Sequence, residues 1–127
     1  MANETIRIIE EDNLVASAAS VGARMLAGLK QYESHPLVAE VRGVGLIAAV
    51  ELVTNKQTKA ALEKPGQLGV IANAKAMENG FFSRNMMDAM AFCPPLIISE
   101  SEVDDLVERV GKALDATLAE LPVGAVA

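Results

Sequence analysis

Residues 41 to 53, VRGVGLIAAVELV, constrain this chain more than any other stretch. From Val44 to Val53 the run is nearly all apolar and long enough for a central strand. A strand of that kind needs other elements to cover it, so the remaining segments must supply a sheet and its helices. Gly43 and Gly45 are permissive points where the backbone can bend, bulge or be closely approached.

The flanking segments fit that demand. Asn3 to Glu11 reads as a short helix with Ile6 and Ile9 on its apolar face, broken at Asp12-Asn13, a plausible N-cap. From Leu14 the apolar positions Ala18, Val21, Met25, Leu29 and Tyr32 follow at helical spacing. Ala16, Ala19 and Gly22 are small enough to admit another element. A single straight helix over residues 4 to 33 would be roughly 45 Å long, against a radius of gyration of about 14 Å for a domain of this length. The chain therefore breaks at Asn13 or carries a connector to another body, and the abrupt start at Met1 suggests truncation. Ser34-His35-Pro36 ends the helix.

Residues 54 to 66 are polar and read as an exposed loop. Gln67 to Asn79 forms the next helix, with Val70, Ala74 and Met77 on one face and Asn79-Gly80 as its stop. Phe81–Asn85 and Ala89–Cys93 read as two short strands joined near Met86-Met87-Asp88. Ser99 and Glu102 have capping-box spacing and open a last helix lined by Val103, Leu106, Val110, Ala113, Leu114 and Leu121. Pro122 ends it, and Val123–Ala127 reads as a frayed tail. The expected fold is α/β (α+β): one domain over residues 1–127, with helices covering one face of a small, mostly antiparallel three-stranded sheet.

Composition narrows the function. The net charge is -6 and aromatics are 3% of the chain, without the basic stripe and stacking rings of a nucleic-acid binder. No apolar run reaches the ~18–20 residues that span a bilayer, and no secretory signal opens the chain, which points to the cytoplasm. At 51% hydrophobic residues the chain is apolar for a soluble domain, so part of its surface is expected to pack against a partner.

Few residues offer chemistry. Cys93 is a lone cysteine, read as buried on a strand, and no cysteine–histidine cluster suggests a metal. His35, the single histidine, precedes a proline and has no nucleophile beside it in sequence. Arg42-Gly43-Val44-Gly45 resembles a phosphate cradle, but its glycines precede a strand rather than a helix. Met86, Met87 and Met90 read as core filling or as the lining of an adaptable pocket. None of the six lysines lies in the apolar setting that depresses an amine pKa. Arg84 stands out, because residues 80 to 99 contain only two charges, Arg84 and Asp88. Two readings are open: a strand arginine in solvent, free to pair with Asp88, or a planar cation that binds a substrate carboxylate.

Two segments together resemble a known family. HPLVAEVRGVGLIAAVEL, residues 35 to 52, is similar to the small-domain segment of class III aminotransferases, the omega-transaminase branch of the pyridoxal 5'-phosphate enzymes of fold type I. The second pattern is Arg84, Met87-Asp88, AMAFC, Pro94-Pro95, Leu96-Ile97-Ile98, Ser99 and an acidic helix. The resemblance runs from about residue 4 to 121. It departs at Met87, where the family has glycine, so substrate preference does not carry over.

The resemblance implies a C-terminal small domain without the large cofactor-binding domain. It implies pyridoxal 5'-phosphate in the full enzyme and none on this chain alone, a homo-oligomer, and amine, amino-acid, keto-acid or aldehyde substrates. It assigns Arg84 to the substrate carboxylate, swinging inward to bind it and outward for an apolar group, and it assigns no catalytic, cofactor or metal residue here. The chain alone is then inactive. Alternatives from other classes are a self-standing dimerising interaction module and a small carboxylate sensor.

Overall fold

The computed structural model describes all residues from 1 to 127. Helix α1 (Ala2–Glu11) buries none of its side chains and leaves Ile6 and Ile8 exposed. Arg7 braces it by pairing with Glu4 and Glu11. The expected break occurs at Asp12-Asn13, where Asn13 adopts φ 52°, a left-handed conformation that asparagine tolerates. Its backbone, rather than a side-chain cap, makes the break.

Helix α2 (Leu14–Lys30) buries Leu14, Val21, Gly22, Met25 and Leu29, the face its spacing predicts, whereas Ala16 and Ala19 lie in solvent. A 3-10 turn, Gln31–Ser34, follows. Within it Tyr32 donates to the carbonyl of Val107 at 2.8 Å.

The sheet has four strands, not three. Residues 41–53 do not run straight through. They belong to a hairpin of β1 (Val38–Val44) and β2 (Ile47–Leu52), which turns at Gly45-Leu46. Gly45 takes φ 54°, as the first position of a tight two-residue hairpin turn demands. Leu46 is 5% exposed, so an apolar turn residue tucked into the core hides the turn within an apolar run. Gly22 of α2 lies under this turn. A Cβ there would stand 2.1 Å from the Gly45 carbonyl oxygen.

The 54–66 loop is exposed over much of its length, with Thr54 buried at its start. It leads to α3 (Gln67–Glu78), then β3 (Arg84–Met86), β4 (Ala89–Phe92) and α4 (Glu100–Glu120). The sheet order is β1-β2-β4-β3, antiparallel throughout.

Helices α2 and α3 lie on the sheet, and α4 packs against both of them. The core between these layers holds Val41, Val50, Met90 and Phe92 from the strands, with Met25, Leu68 and Val110 from the helices. Burying this apolar surface is the main stabilising term. Ser99 and Glu102 form the expected capping box.

Helix α3 presents the opposite face from the one expected. Leu68, Gly69, Ala72 and Ala76 are buried, while Val70 and Met77 are exposed. Both stripes have helical spacing, and the small residues win because they let the backbone approach the sheet. Cys93 is also exposed, since the strand ends at Phe92. The tail is tied down: Ala127 N–H donates to the Thr54 carbonyl at 2.9 Å. No helix is long and apolar enough to cross a membrane.

Candidate functional site

Side chains alternate along strands, so the register divides the sheet into two sets. The row Val41–Val50–Met90–Asn85 faces the helices. The neighbouring row Arg42–Ala49–Ala91–Arg84 faces the other way, as does Glu40–Glu51–Ala89–Met86. No helix covers this second face. It forms an open cleft of about 550 Å³ with an alanine floor, walled by Arg42, Glu51, Arg84, Met86 and Met87.

Arg42 and Arg84 end the same row. At about 4.8 Å per strand, their backbones are about 14 Å apart. Arg42 is occupied: it donates to Glu51 at 3.0 Å and lies 4.0 Å from Glu40. The other arginines are paired as well, Arg7 with Glu4 and Glu11, Arg24 with Glu100 and Asp104, and Arg109 with Asp105. Arg84 alone lacks an acidic partner, and it is exposed at the cleft.

Asp88, the other charge of the apolar segment, does not pair with Arg84. Its Oδ2 accepts from Gly66 N–H at 2.9 Å and its Oδ1 from Gly69 N–H at 3.0 Å. Both donors lie at the amino end of α3, whose N-cap, Gly66, has no side chain to offer. Met87 precedes Asp88 in the turn and holds φ 56°, matching Gly45 in the first hairpin. The glycine expected at this position would meet that backbone requirement without strain. Met86 and Met87 are exposed at the cleft, whereas Met90 is fully buried in the core.

The remaining candidates are structural. The glycines of residues 42–45 serve the hairpin. His35 is largely buried, and its Nδ1 accepts from Leu37 N–H at 3.2 Å. Its Nε2 is 3.3 Å from Asp115 Oδ1 but not aligned for a hydrogen bond. Burial pushes its pKa down, against the raising effect of Asp115. No cluster of three potential metal ligands exists.

Sequence reasoning missed the capping role of Asp88 and the pairing of Arg42. One signal was available for the first: Pro65-Gly66-Gln67 starts a helix with no capping side chain of its own.

The family model for class-III aminotransferases matches residues 1–114. The chain belongs to the class III aminotransferase family. Members of this family use pyridoxal 5'-phosphate. The chain is 37% identical over 120 residues to the putrescine–pyruvate aminotransferase of Pseudomonas aeruginosa, covering 94% of this chain and 26% of that protein. It is 32% identical to the mitochondrial gamma aminobutyrate transaminase 1 of Solanum lycopersicum, over 92% and 23% of the two chains.

Among solved structures, a transaminase with L-ala superposes with a TM-score of 0.93 at 51% identity, over 95% of this chain and 28% of that one. The omega transaminase of Pseudomonas jessenii in complex with PMP gives a TM-score of 0.89 at 49% identity, over 91% and 26%. The chain thus spans about a quarter of the length of the aminotransferases it matches.

Proposed function

We propose that this chain is a single small domain that selects substrates for a pyridoxal 5'-phosphate-dependent transaminase. Such an enzyme moves an amino group between an amine or amino acid and a keto acid or aldehyde, and the cofactor supplies the electron sink. In this reading Arg84 binds the substrate carboxylate. The carrying observation is that Arg84, alone among the arginines, has no acidic partner and stands over an alanine-floored cleft. A guanidinium offers two parallel donors that match a carboxylate, on a stem long enough to reach in or withdraw to water. Alanines at the floor leave room for the bound group.

The lysines of this chain do not fit the cofactor. A lysine that condenses with a carbonyl needs a depressed pKa. Lys30, Lys56, Lys59, Lys64 and Lys112 are exposed, and Lys75, the one enclosed lysine, has its pKa raised by Glu120 at 2.8 Å and Glu78 at 3.0 Å. The cofactor therefore binds outside this chain, and the chain alone is inactive. The proposed enzyme is a cytoplasmic homo-oligomer.

The test is a chimera in which this chain replaces the matching quarter of the 51%-identical transaminase. The chimera should transfer an amino group to pyruvate and to an aldehyde. Arg84→Ala should raise KM for pyruvate by about 10- to 100-fold, the worth of a charge-assisted pair, and leave the aldehyde unaffected. Equal losses for the two acceptors would overturn the assignment.

A second reading is a self-standing module that dimerises through its amino-terminal helices. The exposed Ile6, Ile8 and Val15 favour it. Sedimentation that shows only monomer at high concentration would exclude it.

A further inference from the structure

We infer that Asp88 is a positioning residue for Arg84, latching the β3–β4 hairpin to the amino end of α3 so that the arginine is held at the cleft and left unpaired. The significance of this placement rests on the reading of Arg84 as the carboxylate receptor, but the latch itself does not.

Strand β3 has little else to hold it. It is three residues long, lies at the edge of the sheet and pairs only with β4. A short two-stranded hairpin is marginal by itself. Asp88 adds three ties from one residue. Its two carboxylate oxygens accept from Gly66 and Gly69 of α3, and its carbonyl accepts from Leu52 N–H at the end of β2, at 2.8 Å. One further tie lies at the entry to β3, where Ser83 Oγ donates to Asn73 Oδ1 at 2.9 Å.

The turn also sits hard against the helix. A Cβ at Gly69 would stand 1.9 Å from the Met87 carbonyl oxygen, so only glycine allows this seat.

The latch also settles where the negative charge goes. Asp88 lies in the turn of Arg84's own hairpin and could reach back to the arginine. It faces instead the positive end of the α3 dipole and two N–H groups that would otherwise lack partners. The helix thereby holds the anion closest to Arg84 in this segment, and the guanidinium stays available to a ligand.

Amide hydrogen exchange on the full 127-residue chain tests this. Asp88→Ala should speed exchange at Gly66 and Gly69, and at the hairpin-bonded amides within Arg84–Met86 and Ala89–Ala91, by at least about 10-fold. Asp88→Asn keeps one acceptor oxygen, should fold like the parent, and should fall between the two. If either variant loosens Gly66 and Gly69 but leaves the hairpin at parental rates, Asp88 only caps a helix and the inference fails.

In the chimera, Asp88→Asn should raise KM for pyruvate severalfold with kcat and the aldehyde reaction unchanged, a split that general loosening would not produce. Should Arg84→Ala leave pyruvate unaffected while the hairpin loosens as described, the latch stands and the carboxylate assignment falls.

Discussion

Arg42 and Arg84 occupy the two ends of one row across the open face of the sheet, yet Arg42 is held by Glu51 and Arg84 by no acid. The two should respond differently to removal. Arg84→Ala should change stability by no more than about 0.5 kcal/mol, as for a surface side chain without partners. Arg42→Ala leaves Glu40 and Glu51 directly opposite each other and should cost about 0.5–1 kcal/mol, like charges being destabilising in cross-strand pairs. Urea unfolding at low and high salt checks this, and the Arg42 cost should shrink as salt screens the repulsion.

Met87 and Gly45 both open a two-residue hairpin turn at positive φ. A side chain in that region costs about 1 kcal/mol or more. Met87→Gly should therefore raise stability by about 0.5–1 kcal/mol, the gain being tempered by the freer unfolded chain. Gly45→Ala should lower it by a similar amount. Thermal melts of the two variants read the opposite signs directly.

Two helix glycines face backbone oxygens that cannot step aside. An added Cβ would stand 2.1 Å from Gly45 O at Gly22 and 1.9 Å from Met87 O at Gly69. Alanine at either position should cost about 2–3 kcal/mol or more through forced backbone shifts. Gly28 is the intermediate case: its Cβ would meet both Val107 methyls, at 2.8 and 3.1 Å, and a valine held stiff at χ1 within a helix clears it only by a shift of the side chain as a whole. There the helix-forming gain of alanine, about 0.5–1 kcal/mol, offsets part of an overpacking cost of about 1–3 kcal/mol, so the net loss should be smaller than at Gly22 or Gly69. Chemical denaturation of all three variants separates the cases.

His35 makes stability depend on pH. Burial holds its folded pKa below the ordinary imidazole value of about 6.5, so between the two pKa values the unfolded chain binds more protons than the folded one. Stability is then complete above about 6.5 and declines as pH falls from there toward the folded pKa. Protonating Nδ1 would also break its bond from Leu37 N–H. His35→Asn keeps an acceptor for that N–H in an Asx turn. The variant should show a flat urea midpoint over the range in which the parent declines. A second decline should appear in both proteins as pH falls below about 4.5, shared by Glu102, lowered by its bonds with the Ser99 backbone N–H and hydroxyl, by Glu4, lowered by Arg7, and by Asp104, lowered by Arg24.

What could be read ahead of the structure was local. The Ser99–Glu102 box, the break at Asn13 and the buried face of α2 are set by neighbours within a turn or two, and the structure repeats them. The hairpin in residues 38–52 escaped because its turn carries Leu46, an apolar residue that belongs to the core and breaks no apolar run. The face of α3 escaped because small residues and larger apolar ones both recur at helical spacing. The apolar neighbours of Cys93 and the usual burial of a free cysteine point inward, but the strand ends one residue before it and leaves it exposed. The role of Asp88 escaped for a different reason. Its partners Gly66 and Gly69 are 22 and 19 positions away, and only the return of β4 beside β2 brings them together. Arg84 was legible as an unusual charge in an apolar stretch, but its lack of a partner required the register of four strands.

That register has a consequence for how such a domain could diversify. Odd and even positions along β2 and β4 answer to different demands, the open cleft for one and the interior for the other. Substituting Ala49, Ala89 and Ala91 would resculpt the floor under Arg84 while Val50, Met90 and Phe92 keep the interior intact. The cleft surface and the interior are thus interleaved residue by residue but separable, so that, on the proposed reading of Arg84, these three alanines are the natural positions for a library aimed at new substrates.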